Sequence, residues 1–76
     1  MSGTDAIRVA GTVIEALPQG RFRVQLANGH QLVARVLRRD AGRLAGIGLG
    51  DVLDLRVSPG DMSHGTIDKI LETKQD

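Results

Sequence analysis

This 76-residue sequence predicts an all-β fold in which five short strands close into a small barrel. Three observations predict it. Several short runs alternate apolar and polar residues with a period of two, the mark of strands buried on one face. Clusters of Pro, Gly, Asn and Asp interrupt those runs at 17–20, 28–29 and 58–61, where such residues favour turns. Only one stretch, residues 38–46, has helical character, and Gly42 within it costs about 1 kcal/mol relative to alanine, so one or two loose turns are expected.

The elements follow in order. Met1 to Ala6 is small and polar and is expected to fray. Ile7 to Ala16 (IRVAGTVIEA) is rich in β-branched residues and forms the first strand. Gly11 sits inside it where a bend or close backbone approach lets a strand curl around a barrel. Leu17-Pro18-Gln19-Gly20 turns the chain into a hairpin. There Phe22, Val24 and Leu26 alternate with Arg21, Arg23 and Gln25, and Leu32, Ala34 and Val36 alternate with Gln31, Val33 and Arg35. In 38–46 (RRDAGRLAG), Asp40 is the expected N-cap, Leu44 an inward anchor and Gly46 the stop. Val52 to Val57 (VLDLRV) alternates into a fourth strand. Ser58 to Gly65 is read as a turn, and Thr66 to Leu71 (TIDKIL) as the fifth strand, with a charged, frayed end at 72–76.

The pleat fixes the hairpin register. A two-residue Asn28-Gly29 loop pairs Phe22 with Arg35 and sets a charge beside the only aromatic ring. A three-residue Ala27-Asn28-Gly29 loop pairs Val24 with Leu32 and Phe22 with Ala34. One residue of slip turns a whole strand face outward, so a buried core selects the second register. That register also gives Gly29 the left-handed conformation that closes such a loop. Phe22 then points into the core, and Phe22→Ala is expected to unfold the barrel, since truncating a buried aromatic costs about 3–5 kcal/mol. Strand, strand, strand, short helix, strand, strand is the order of the OB-fold, a five-stranded Greek-key barrel. An SH3-like barrel is the competitor, but it normally lacks the helix and uses more aromatics.

Composition narrows the function. At 76 residues one domain, 1–76, is expected. There is no cysteine, hence no disulfide, thiolate chemistry or cysteine-ligated zinc. No apolar run reaches the ~20 residues that cross a bilayer, and no signal peptide pattern is visible, so a cytoplasmic protein without membrane contact is expected. The net charge is only +1, but it is unevenly spread: residues 21–43 carry six arginines against a single acid, Asp40. Such asymmetry fits a face turned toward a polyanion.

The outer face of the hairpin gathers Arg21, Arg23, Gln25, Gln31, Val33 and Arg35, with Arg38, Arg39 and Arg43 following at its exit. Arginine binds phosphate bidentately and stacks on bases, although on a strand exterior the same residues also serve as ordinary solvated charge. Because Phe22 faces inward, no aromatic platform remains, and recognition by shape and phosphate contact is expected. If about four arginines each meet a phosphate, log affinity falls with log salt at a slope of roughly −3. His30, just after the loop, either caps it or meets RNA. His30 and His64 are too few to define a metal site. Asp51, Asp54 and Asp61 read as turn formers or solvated charge. No nucleophilic triad, carboxylate pair or phosphate-binding glycine loop is present, so neither catalysis nor a cofactor is expected.

One run is more specific. GTVIEALPQGRFRVQLANGH (11–30), continuing through Ala34, Ile47 and Gly50-Asp51 to SPGDMSHGTI (58–67), closely resembles the bacterial translation initiation factor one family. The resemblance covers residues 7–67. It implies an S1-type OB-fold that occupies the decoding (A) site of the small ribosomal subunit as a monomer. There the family contacts ribosomal RNA and a ribosomal protein and assists start-site selection with the other initiation factors. It further implies RNA-facing roles for Arg23, Asn28, Gly29, His30 and Arg39, with Arg38 and Arg43 in the segment that enters ribosomal RNA and His64 at a basic position. The family's 37–47 segment is basic and contains an aromatic, whereas LRRDAGRLAGI carries an acid and no tyrosine. The final strand holds Asp68, Lys69 and Glu72 instead of clustered arginines. Two alternatives therefore stay open: a divergent S1-type RNA-binding module or RNA chaperone, and an OB domain that binds protein and no RNA.

Overall fold

The computed structural model describes residues 6–74. Five strands, β1 (Ile7–Leu17), β2 (Arg21–Leu26), β3 (Gln31–Arg35), β4 (Val52–Ser58) and β5 (Asp61–Glu72), close into a barrel in the order β1-β2-β3-β5-β4. Every neighbouring pair is antiparallel except β3 with β5, which run parallel. This is the expected OB-type barrel.

The interior follows from the pleat. Val24 and Leu26, Leu32 and Ala34, Leu53, Leu55 and Val57, Ile67 and Val13 all point inward and are buried. The β2–β3 register pairs Val24 with Leu32 and Phe22 with Ala34. Gly29 closes the loop at φ 89°, its N–H donating to the Leu26 carbonyl at 2.9 Å. The three-residue loop is thus the observed one. Phe22, however, is half-buried at the barrel end, packed against the core rather than inside it. Its truncation accordingly costs less than a fully buried ring would, which corrects the expected unfolding.

β1 reaches two partners because it bends. A Cβ at Gly11 would overlap Val24 Cγ1 and stand 3.3 Å from the Gln25 carbonyl oxygen. Past it, the register with β2 slips between Val13 and Glu15. Val13 there turns its backbone to the 48–51 loop, donating to Asp51 O and accepting from Gly50 N, both at 2.9 Å.

Three boundaries differ from expectation. Residues 38–46 hold only a three-residue 3₁₀ turn, Arg38–Asp40, followed by turns. Leu37 occupies the cap position without a side-chain cap, and Asp40 ends the helix instead of starting it. Leu44 is nevertheless the buried anchor. β5 begins at Asp61, so Met62 to Gly65 are strand and not turn. They gain partners on both sides: Val33 pairs with His64 across one seam and Val57 with Gly65 across the other. Finally, the end expected to fray at 72–76 is tied down where it is described. Glu72 belongs to β5, and the Lys74 N–H donates to Asp51 Oδ1 at 2.8 Å. Residues 1–5 and 75–76, also expected to fray, lie outside the described residues, and Ala6 has no regular structure.

Asp51, expected as a turn former or a solvated charge, is the former: it is buried at 2% exposure. Its carboxylate accepts the Gly48 N–H at 2.9 Å as well as that of Lys74. These two backbone donors hold its pKa below the usual carboxylate value. It joins the β4 entry loop to the chain end, a purely structural post.

Candidate nucleic-acid interface

Across a sheet, residues of the same parity stand side by side in rows. One row on the outer surface runs Arg23 (β2), Val33 (β3), His64 (β5). The next runs Arg21 (β2), Arg35 (β3), Thr66 (β5), Arg56 (β4). Gln25 and Gln31 form a third pair, their amides linked at 3.3 Å. Arg21, Arg23, Gln25 and Arg35 are thereby brought to one connected outer face, as the hairpin register predicts, and β5 adds His64 to it.

The hairpin tip is held rather than loose. Asn28 Oδ1 accepts the His30 N–H at 2.9 Å, and the His30 ring Nε2 lies 2.8 Å from the Met62 carbonyl oxygen. His30 therefore braces the tip against β5, with both contacts exposed to solvent. Gly29 exposes backbone at the tip.

The arginines differ in how much the fold already occupies them. Arg23 Nε donates to Glu15 Oε1 at 3.0 Å, and Arg21 Nε to the Pro18 carbonyl at 3.1 Å. Arg43 meets Asp40 at 3.1 Å and Arg39 meets it at 4.0 Å. Such exposed pairs are worth about 0–1 kcal/mol each and exchange readily for another anion. Arg35 and Arg38 are exposed and have no side-chain partner among the described residues. His64 Nδ1 lies 3.0 Å from Ser63 Oγ and 3.5 Å from Asp61 Oδ2. Hydrogen bonds from the Ser63 hydroxyl and N–H, more than His64, hold the Asp61 pKa below its ordinary value.

Arg38, Arg39 and Arg43 stand apart from the strand rows. Arg38 borders a groove with Phe22, Val36 and Leu44 at the barrel end. Arg56 is not singled out by sequence reasoning, where VLDLRV shows it only as an outward strand residue. Arg8 is a different case: it spans Asp54 at 2.6 Å and Asp68 at 2.9 Å. The hydrogen bond to Asp54, then the charges of Asp54 and Asp68, raise its pKa above the ordinary value. Among the described residues no group of three or more His, Cys, Asp or Glu could hold a metal ion, and no helix is long and apolar enough to cross a membrane.

Fold and surface together define the class: a small OB-fold barrel with a basic face across β2, β3 and β5. No family model matches the chain. Among solved structures it is similar to the solution structure of translation initiation factor one from the Wolbachia endosymbiont strain TRS of Brugia malayi. The TM-score is 0.71 and the identity 28%, over 93% of this chain and 84% of that one. This likeness agrees with the motif run at 11–30 and 58–67, which resembles the bacterial initiation factor one family.

Proposed function

We propose that the chain is a cytoplasmic, monomeric translation initiation factor that binds the decoding site of the small ribosomal subunit and assists start-site selection with the other initiation factors. It works without catalysis or a cofactor. The observation that carries this reading is the connected basic face formed by Arg21, Arg23, Arg35 and His64 across three strands, on a barrel similar to that of an initiation factor. Arg38, Arg39 and Arg43 extend from the same hairpin toward ribosomal RNA. Asn28, Gly29 and His30 offer the tip, and Gln25 the polar flank. Guanidinium groups in loose surface pairs exchange a carboxylate for a phosphate at little cost.

Co-sedimentation with small ribosomal subunits at graded salt tests the proposal. Saturable, salt-sensitive binding that a decoding-site antibiotic competes away supports it. Equal binding to any single-stranded RNA favours the S1-type module or RNA chaperone instead. That second reading has one specific support, the Asp40 carboxylate set between Arg39 and Arg43, which lowers the positive charge of the 38–46 segment. Absence of both kinds of binding refutes an RNA role.

A further inference from the structure

The row Arg21, Arg35, Thr66, Arg56 lines one open concavity of about 460 Å³ on the barrel wall. Three guanidinium groups face it, against one lining carboxylate, Asp61. Arg21 and Arg35 are direct cross-strand partners, and like charges placed opposite one another disfavour the sheet. Arg35 and Arg56 each neighbour Thr66 from opposite sides. With strands about 4.8 Å apart, the two arginines stand on either side of the short threonine, within reach of one shared anion. The fold answers this charge only in part. Arg56 Nε is buried without a hydrogen-bond partner among the described residues, with Asp68 Oδ1 at 3.8 Å, beyond hydrogen-bond reach. Arg21 spends its Nε on a backbone carbonyl and has no carboxylate partner among the described residues. Asp61, held by Ser63, marks the anion-repelling rim.

We infer that this groove is a seat for one phosphodiester group of an RNA chain, gripped by the terminal nitrogens of Arg21, Arg35 and Arg56 above Thr66. The inference rests on the RNA-binding reading and adds to it a located contact and a residue, Arg56. An anion there turns a mutually repelling pair into a shared ligand set, which explains why the sheet carries arginines in register. The groove exceeds a bare phosphate in volume, which leaves room for an adjoining sugar.

The test uses the full chain and its arginine side-chain N–H signals, followed by NMR. Titration with hexauridylate bearing a 5′-hydroxyl, which offers only internal diesters, is expected to move the Arg21, Arg35 and Arg56 signals together and saturably. Inorganic phosphate is expected to move the same three more weakly; tighter binding of the free ion than of the oligonucleotide overturns the diester assignment. Arg35→Gln and Arg56→Gln should each weaken hexauridylate binding about three- to tenfold and flatten the salt slope by roughly 0.7. Lys69→Gln removes the same charge outside the groove and should change affinity less than twofold. Melting curves confirm that each variant folds, and Arg35→Gln, on an exposed side chain, serves if Arg56→Gln does not. Uniform drift of all arginine signals, or equal effects of Lys69→Gln and Arg35→Gln, overturns the groove. Subunit binding by the wild type that neither groove variant alters also overturns it while sparing the initiation-factor reading. A saturating groove in a chain that does not sediment with subunits does the reverse.

Discussion

Replacing Asp51 by alanine is the sharpest probe of how this barrel is held. The carboxylate accepts two backbone N–H groups, from Gly48 at 2.9 Å and Lys74 at 2.8 Å, and is buried. Alanine leaves both donors without a partner, at about 1–3 kcal/mol for each that water cannot reach. Lys74 is exposed and rehydrates, so most of the loss falls on the Gly48 side, and about 2–3 kcal/mol is expected in all. A chain of this length has roughly 4–11 kcal/mol of stability, and each kcal/mol moves the melting temperature by about 4–8 °C. Thermal unfolding at pH 7 should therefore show a fall of roughly 10–20 °C, with faster amide exchange at Gly48 and Lys74. The same contact has a pH signature. Because folding lowers the Asp51 pKa, its contribution is complete above the unfolded value of about 3.9 and is lost as pH falls through the folded value. Wild-type stability should decline below about pH 4, and Asp51→Asn should flatten that decline, leaving the share due to Asp61. A melting temperature for Asp51→Ala within about 2 °C of wild type would refute the reasoning.

Three further outcomes are expected. Arg38→Ala with Arg39→Ala should reduce the salt slope of subunit binding by about 1.5 while changing stability by less than about 0.5 kcal/mol, as for exposed positions generally; parallel sedimentation and melting curves separate the two effects. Gly11→Ala forces a methyl against Val24 Cγ1 and the β2 backbone, and should cost about 1–3 kcal/mol in urea unfolding with RNA affinity per folded molecule unchanged. Asp40→Asn releases Arg39 and Arg43 from their shared carboxylate; it should tighten subunit binding several-fold at low salt and steepen the salt slope by roughly 0.7–0.9, measured by the same sedimentation.

The hairpin is legible in the sequence because everything that fixes it is local: alternating residues, a glycine at the loop and one aromatic that cannot oppose a charge. The start of β5 is not legible. Met62 to Gly65 look like a turn in sequence and become strand only because β3 and β4 flank them. Phe22 alternates with core residues, yet sits at the mouth of the barrel, and no periodicity reports distance from an end. Asp51 follows glycines and reads as a loop acid; its burial depends on a partner at Lys74 that pattern cannot foresee. Arg56 escapes notice for the same reason. It joins Arg35 only through Thr66, and a row across a sheet has no spacing along the chain. The arginines of 21–43 are visible as a cluster, whereas the carboxylates that partly occupy Arg23, Arg39 and Arg43 emerge only from the geometry.

The parallel contact of β3 with β5 closes the cylinder through just three residue pairs, Val33 with His64, Ala34 with Gly65 and Arg35 with Thr66. It is the shortest of the five seams, so it has the least pairing to lose and is the one expected to open first. The arginine groove straddles that zip. A nucleic-acid strand laid from Arg35 to Arg56 bolts it shut, so the ligand shifts the opening equilibrium by RT ln(1 + [L]/Kd), about 2.7 kcal/mol at a hundredfold excess over Kd. Amide exchange at Ala34 and Gly65 then becomes a gauge of occupancy, readable without any label on the RNA.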